Sequence, residues 1–479
     1  MSEILNINER PFSDENIVKR DYHSYVPYIQ SFKNNDEIRI SIQNQDLYVL
    51  PSESYLYIEG YLRKANGENS SNARLRNNCV GYMFDEIRYE LNGIEIDRTR
   101  YLGVTTKVKN WISLSESESK VMSNAGWGVD DVSTNSFNFC MPLNRLLGFA
   151  EDFKKVICNS KHDLILLRSA NDTNVCYSTD SKEDIRLTIT NIVWKVQHIN
   201  LSDYRKISFL KTIKDGKTLP IAFRSWDCYF NPTFVGGRQH SWNVKLSANH
   251  ERPRYVAFVF EKDHKLMHCD LQNIKVHLNS ETYPYDDLNL KYGENRYAVL
   301  YDMYTKFQET YYMREPHPLL SYKGFKDNPI AVIDISNQNE VVKNGPIDLK
   351  IQFETSTPIP PNTLAYCLII HDRLVEYIPL TGIVRKFCGP GTKLKSRLKK
   401  GDKGINPLDA ACKVHDIANA KTEDIEQRHI ADRELTERAW ERVKAKDSSI
   451  GEKLNAYFVT NAMKAKTKFG MGLNNNNNS

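Results

Sequence analysis

The sequence has no CxxC pair, and its nine cysteines are scattered singly along the chain. That spacing indicates neither a zinc site nor a dense disulfide framework. The sequence also lacks an apolar run of about 18 residues, which a membrane-spanning helix needs. Its first residues mix charges with short apolar pairs, unlike a signal peptide. We therefore expect a soluble protein that is made in a cytosol-like compartment.

Strong helical periodicity is scarce before about residue 400, where apolar and polar residues alternate instead. Segments rich in Ile, Val, Tyr and Phe predict strands at 38–42, 184–190, 255–260, 347–353 and 366–372. Asn92 and Gly93 interrupt another alternating segment and predict a hairpin with a type I′ turn. This part of the chain is expected to be all-β.

A weak internal repeat indicates two related β domains. "IRYELNG" begins at Ile87, and "IKVHLNS" begins at Ile274, 187 residues later. Chance matches of this length are common, but the same order of strands precedes both strings, which favours duplication. A unit of that length suits an eight-stranded jelly roll. The sequence therefore predicts a mainly β protein with two jelly-roll β-sandwich domains at 1–215 and 216–381, joined by a linker at 210–220.

Three stretches carry a resemblance to a known group of proteins. "RPFSDENIVKRDYHSYVPY", "YMFDEIRYELNGIEIDR" and "SETYPYDDLNLKYGENRYAVLYDMY" resemble the double jelly-roll capsid proteins of Polinton and adintovirus-type elements in insect genomes. The resemblance covers about Arg10 to Lys386. It implies a homotrimer with two rolls per subunit that assembles into a capsid. It also implies location in the virion, after assembly in the host cytoplasm or nucleus.

His264, His268 and Cys269 lie close together in the sequence and are residue types that bind metals. Their spacing is irregular, and they lie between two predicted strands. Exposed loop residues are therefore the favoured interpretation.

The charge changes at Gly382. From there to the end the chain has 20 Lys and Arg against 12 Asp and Glu, which leaves 45 against 48 for the rest. A basic segment on a nearly neutral body suggests a membrane surface or nucleic acid as partner, although a solvated helical surface would look the same. We expect a separate helical module at 382–473 and a disordered Asn-rich tail at 474–479.

Two helices are predicted in this module, and each carries a polar residue on its apolar face. Asn406 and Pro407 are typical of a helix start, and the spacing from there directs His415 inward with Asp416 on the adjacent flank. A second helix at 422–446 has Asp432 within its apolar stripe. A buried carboxylate is costly unless it is paired, so Asp432 is expected to orient a ring nitrogen of His415.

Two strings of the module, "FCGPG" and "DAACKVHD", resemble the calcium loop and catalytic helix of the phospholipase A2 domain in parvovirus and densovirus capsid proteins. The resemblance implies a small α-helical enzyme that hydrolyses the sn-2 ester of phospholipids with bound Ca²⁺. His415 would be the general base and Asp432 its partner. The implied calcium ligands are the carbonyls of Phe387, Gly389 and Gly391 and the carboxylate of Asp416.

The resemblance has further implications and one departure. Cys388 and Cys412 stand where secreted relatives place a disulfide, and the family usually has tyrosine where this chain has Asn419. Beside the module lies a basic run that could adhere to anionic phospholipid: Lys393, Lys395, Arg397, Lys399 and Lys400. The main interpretation is a capsid protein whose phospholipase breaches a host membrane. Two alternatives are a decayed module that binds membrane or packaged nucleic acid, and a host-domesticated soluble phospholipase.

Overall fold

A computed structural model describes residues 16–43, 48–129, 135–214, 219–232, 234, 237–247, 252–337, 347–379, 383–385, 425–445 and 460. Strands predominate among these residues. The chain divides into two compact units. The first contains Met1–Leu91, Glu95–Lys217 and Ala222–Leu374, and the second contains Asn92–Ile94, Thr218–Ile221 and Val375–Ser479.

The first roll is built from two four-stranded antiparallel sheets. Its strands are β1 (Ile17–Tyr25), β2 (Glu37–Ile42), β3 (Val49–Lys64), β4 (Ala73–Leu75), β5 (Phe84–Leu91), β6 (Ile94–Arg100), β7 (Ser136–Pro142), β8 (His162–Arg168), β9 (Cys176–Ser178) and β10 (Ile185–Leu201). One sheet has the order β1-β10-β3-β7, and the other has the order β2-β8-β5-β6. The short strands β4 and β9 pair separately. This order is that of a jelly roll.

The second roll repeats the same order. Its strands are β11 (Leu219–Asn231), β12 (Gln239–Ser247), β13 (Arg252–Lys262), β14 (Lys265–Met267), β15 (Leu271–Leu278), β16 (Glu281–Tyr283), β17 (Ala331–Asp334), β18 (Ile347–Thr355), β19 (Leu364–Ile378) and β20 (Ile383–Arg385). One sheet runs β11-β19-β13, with β14 and β17 also paired to β13 and β20 to β19, and the other runs β12-β18-β15-β16. The predicted mainly β fold with two jelly rolls is confirmed.

The repeated strings occupy equivalent places in the two rolls. Ile87 lies on β5 and Ile274 on β15, the third strand of each β2-β8-β5-β6 or β12-β18-β15-β16 sheet. Asn92 and Gly93 have φ angles of 52° and 78°, as the predicted type I′ turn requires. The matching turn after β15 begins with Asn279, whose φ is 54°. An asparagine with positive φ therefore begins the equivalent hairpin turn in both rolls.

The expectation of an all-β region was wrong where helices connect the strands. The helices are α1 (Cys79–Tyr82), α2 (Leu102–Ser113), α3 (Glu116–Val121), α4 (Leu143–Leu146), α5 (Gly148–Asp152), α6 (Asp203–Lys214), α7 (Ala298–Tyr312), α8 (Tyr322–Asp327) and α9 (Ile425–Lys444), with 3₁₀ turns at Met122–Ala125 and Tyr292–Glu294. The predicted linker at 210–220 overlaps the end of α6. Helices α2 and α7 each connect two strands of a roll. Tertiary packing overrides the strand preference of their β-branched and aromatic residues there.

Helix α2 belongs to the first roll in sequence but contributes to the hydrophobic core of the second. Val104, Val108 and Ile112 are buried in the cluster that contains the inner residues of β13, β18 and β19. The C-terminal carbonyls of a helix lack partners within it. Here α7 supplies them: Tyr304 donates its hydroxyl to the Trp111 carbonyl at 2.8 Å, and the Gln308 amide donates to the Ile112 and Leu114 carbonyls. Helix α2 therefore links the first roll to the core of the second.

Two buried lysines of α2 form ion pairs on opposite sides of this helix. Lys107 Nζ lies 2.6 Å from Glu261 Oε1 of the second roll. Lys109 Nζ lies 2.8 Å from Glu151 Oε2, and its side chain is only 2% exposed. Burial lowers the pKa of Lys109, and the neighbouring Glu151 carboxylate opposes that change. Each ammonium is thus held in the interior by a carboxylate partner.

A second polar contact joins the rolls beside α5. Arg224 of β11 donates from Nη2 to Asp152 Oδ1 at 2.6 Å and from Nε to Asp152 Oδ2 at 2.8 Å. Its guanidinium also lies over the Tyr311 ring, 3.7 Å from the centroid. Gly148 lies against the Arg224 backbone, where a Cβ atom would collide with the carbonyl oxygen. Only glycine allows the two backbones to approach this closely.

We expect Arg224→Ala to lower the free energy of unfolding by about 3 kcal/mol, because it leaves the largely buried Asp152 carboxylate without its guanidinium partner. Urea denaturation of the full chain measures this change. The matched control is Arg254→Ala, which breaks an exposed Arg254–Asp372 pair of 2.6 Å and should cost less than about 1 kcal/mol. Equal losses in both variants would contradict a structural role for the contact between the rolls.

Candidate functional site

Helix α9 carries Asp432, one of the two predicted catalytic residues. Leu435 and Ala439 of the same helix are 3% and 0% exposed. Asp432 precedes them by three and seven positions, and these spacings place all three positions on one face of a helix. On another part of the surface, Arg438 Nη2 pairs with Glu434 Oε1 at 2.9 Å, and Lys444 lies over the exposed Trp440 ring. The helix therefore buries the positions of Leu435 and Ala439.

The other residues of the predicted site lie outside the described residues. They are the catalytic His415, the proposed calcium ligands Phe387, Gly389, Gly391 and Asp416, the supporting Asn419, the cysteine pair Cys388 and Cys412, and the basic residues Lys393, Lys395, Arg397, Lys399 and Lys400. Their roles stay predictions from the sequence. Carbonyl and carboxylate oxygens form a donor set of the kind that Ca²⁺ binds, so the residue types present fit the ion.

The loop that contains His264, His268 and Cys269 differs from the expectation of exposed residues. Cys269 is 5% exposed, and the His268 ring stacks on Tyr292 with centroids 4.5 Å apart. The His264 carbonyl accepts a hydrogen bond from Lys107 Nζ at 2.8 Å. The described part of the chain contains no cluster of three His, Cys, Asp or Glu residues that could hold a metal ion. This loop thus helps to anchor α2.

Sequence reasoning missed a group of polar aromatic residues in the first roll. Tyr89 hydroxyl and His162 Nδ1 lie 2.6 Å apart in the interior, and Tyr25 hydroxyl and His198 Nε2 lie 3.0 Å apart. Both histidines are nearly fully buried, at 1% and 3% exposure. For His198 the signal was present, because it follows the inward Trp194 and Val196 at a spacing of two.

No helix among the described residues is long and apolar enough to cross a membrane.

Comparison with protein families identifies the larger part of the chain. A family model of the double jelly roll-like domain matches residues 73–375, which include α2 and the core of the second roll. The chain belongs to the double jelly roll-like family. A second model, of the phospholipase A2-like domain, matches residues 379–461. Both predicted family resemblances are therefore confirmed, and α9 with Asp432 lies inside the second match.

Solved structures with a similar fold come from virus particles. One is PBCV-1 VP54 fitted into a reconstruction of the virophage Sputnik, with 10% identity, a TM-score of 0.53, and coverage of 80% of this chain and 99% of that chain. Another is the Sputnik virophage itself, with 8% identity, a TM-score of 0.50, and coverage of 83% and 94%. At such low identity the likeness concerns the fold alone. No curated protein matches the sequence.

Proposed function

We propose that this protein is a viral or virus-derived capsid protein that carries a calcium-dependent phospholipase A2 and uses it to breach a host membrane. One observation carries the proposal: a single chain joins a double jelly roll-like domain at 73–375 to a phospholipase A2-like domain at 379–461. A capsid would bring the enzyme to the membrane, and ester hydrolysis would weaken the bilayer there.

The capsid part of the proposal rests on the double roll. PBCV-1 VP54 and the Sputnik virophage chain, both of similar fold, are described within reconstructions of a virus particle. By extension, we infer a homotrimer that assembles into a capsid, located in the virion after assembly in the host cytoplasm or nucleus. The proposed boundaries are 1–215 and 216–381 for the rolls, 382–473 for the enzyme and 474–479 for the tail.

The enzymatic part assigns roles to residues of the module. The carbonyls of Phe387, Gly389 and Gly391 with the carboxylate of Asp416 would hold Ca²⁺, whose positive charge would stabilise the oxyanion that forms during ester hydrolysis.

His415 would accept a proton from water, whose oxygen then attacks the sn-2 carbonyl carbon. The ester C–O bond breaks, and the proton passes from the imidazolium to the leaving alkoxide. The products are a fatty acid and a lysophospholipid. Asp432 would fix the tautomer of His415 and stabilise its positive charge. It precedes the buried Leu435 and Ala439 of α9 by three and seven positions, which is the helical spacing that this role requires.

Other residues of the module would assist the binding of phospholipid. The run of Lys393, Lys395, Arg397, Lys399 and Lys400 would attract anionic phospholipid, at about 1 kcal/mol for each basic residue near the surface. Cys388 and Cys412 would form a disulfide between the calcium loop and the helix in an oxidising environment. The same basic residues could instead contact nucleic acid in the particle.

The double roll should fold and form trimers without the module, since the core that joins α2 to the second roll involves only residues before 375. Deleting 382–479 and measuring the mass in solution by light scattering tests this expectation. A soluble trimer is the expected result. A folded monomer would contradict the capsid assignment, and an aggregate would contradict separate folding of the rolls.

Asp416→Ala should abolish calcium-dependent release of fatty acid from vesicles labelled at the sn-2 position, because neutral carbonyls alone hold the ion poorly. Calcium binding, followed by calorimetry, should be lost in the same variant. The control, Asp402→Ala, removes a nearby acid that has no proposed role and should keep both properties. Undiminished turnover of the wild type in excess chelator would contradict the proposed calcium-dependent mechanism.

Asp432→Asn should reduce turnover severely, by up to about four orders of magnitude, since the histidine would lose the partner that fixes its tautomer. The control is Glu434→Gln on the same helix, a residue whose side chain is 55% exposed. If Asp432→Asn and Glu434→Gln are equally active, Asp432 does not orient the base.

One departure from the family favours a second candidate function. Asn419 stands where the phospholipases usually have tyrosine, and the shorter side chain would reach Asp432 less well than a tyrosine hydroxyl. If the wild type is inactive and Asn419→Tyr restores turnover, the module has decayed as an enzyme. Its basic residues would then serve membrane or nucleic-acid binding alone.

A further inference from the structure

Strand β1 lies at the edge of its sheet, and β10 is its only strand partner in the described part of the chain. Tyr25 lies opposite Trp194, His23 opposite Val196 and Asp21 opposite His198. Most side chains of β1 are exposed to solvent. The strand is therefore attached mainly through its hydrogen bonds to β10 and through the side chains that meet its inner neighbours.

His198 is the polar group under this edge. Tyr25 of β1 contacts its Nε2, and the His23 ring of β1 lies with its centroid 4.2 Å from that of His198. Its Nδ1 is buried and has no hydrogen-bond partner among the described residues. A neutral ring leaves one uncharged nitrogen without a partner here, whereas a charged ring would bury a cationic N–H without an acceptor and would face a second imidazole.

Some groups near His198 favour its protonation, and others oppose it. Asp21 on β1 lies opposite it and favours a proton, but Lys19 holds this carboxylate in an ion pair of 2.8 Å. From β8, His162 approaches from the facing sheet, and Asp163 beside it is paired with Lys161 at 3.0 Å. From β3, the residue opposite His198 is the apolar Val49. Carboxylates that could stabilise a charged His198 are thus already paired.

The balance favours the neutral ring. Burial, and then the neighbouring His23, lower the pKa of His198 to about 4, with Asp21 opposing them. Burial, and then His198, lower the pKa of His162 to about 3. Both histidines therefore stay neutral in the closed roll at pH values where a solvated histidine is already charged.

We propose that acidification detaches β1 from the first roll because His198 takes up a proton once Tyr25 and His23 no longer cover it. Above pH about 6.5 the closed state has its full stability relative to the open state, because a solvated histidine is neutral there as well. It loses stability as the pH falls from there towards the pKa of the closed form, since the open state binds more protons. The inference does not depend on phospholipase activity.

The expected effect is large enough to measure. With a pKa of about 4 when closed and about 6.5 when solvated, one histidine raises the ratio of open to closed strand about twentyfold between pH 7 and pH 5.

Hydrogen exchange of the full chain, followed by mass spectrometry, measures this opening. After correction for the intrinsic pH dependence of exchange, the protection factors of peptides from β1 should fall about twentyfold between pH 7 and pH 5. Peptides of β18 in the second roll should keep theirs. Unchanged protection of β1 would overturn the proposal.

Variants assign the effect to one residue. His198→Gln retains a polar group near the position of Nε2 without a titrating ring, so the protection of β1 should no longer depend on pH. His198→Asn serves the same purpose if glutamine prevents folding. The control is His277→Gln on β15, a half-buried histidine of the other roll, which should behave as the wild type. An equal loss of protection in the wild type and both His198 variants would contradict the proposal.

Discussion

The insertion of α2 into the core of the second roll is the constraint on which the rest of the larger unit depends. Val104, Val108 and Ile112 fill this core, and α7 caps the carbonyls at the end of α2. The ion pairs of Lys107 and Lys109 fix the same helix from both sides. Helix α2 thus couples the two sandwiches, because a connection of the first roll completes the core of the second.

The strands and hairpins could be predicted from the sequence because their signals are local. Asn92-Gly93 determines its turn by the φ angles that only a few residues tolerate, and alternation determines which side chains of β18 face the core. Helix α2 could not be predicted, since its run of Val and Thr has the composition of a strand. It is helical because every face of it is buried against a different element, and such information is not present in a window of sequence.

The candidate site was likewise predicted where its signals are local in sequence. The order of the loop, the histidine-aspartate pair and the second aspartate identified a phospholipase A2-like domain, and the family match at 379–461 agrees. The helix around Asp432 was also predicted, and its buried positions at Leu435 and Ala439 follow the predicted stripe. The polar contacts between the rolls, such as Arg224 with Asp152, were not foreseen. Residues 72 positions apart come together there through the fold alone.

The central claim is that one particle-forming subunit carries the enzyme. Size-exclusion chromatography of the purified full chain, with a calcium-dependent fatty-acid assay on each fraction, tests it most directly. The account predicts that activity elutes with trimers and larger assemblies and that chelator removes it from those same fractions. Activity confined to monomer fractions, with no assembly at any concentration, would contradict the account and favour a soluble phospholipase.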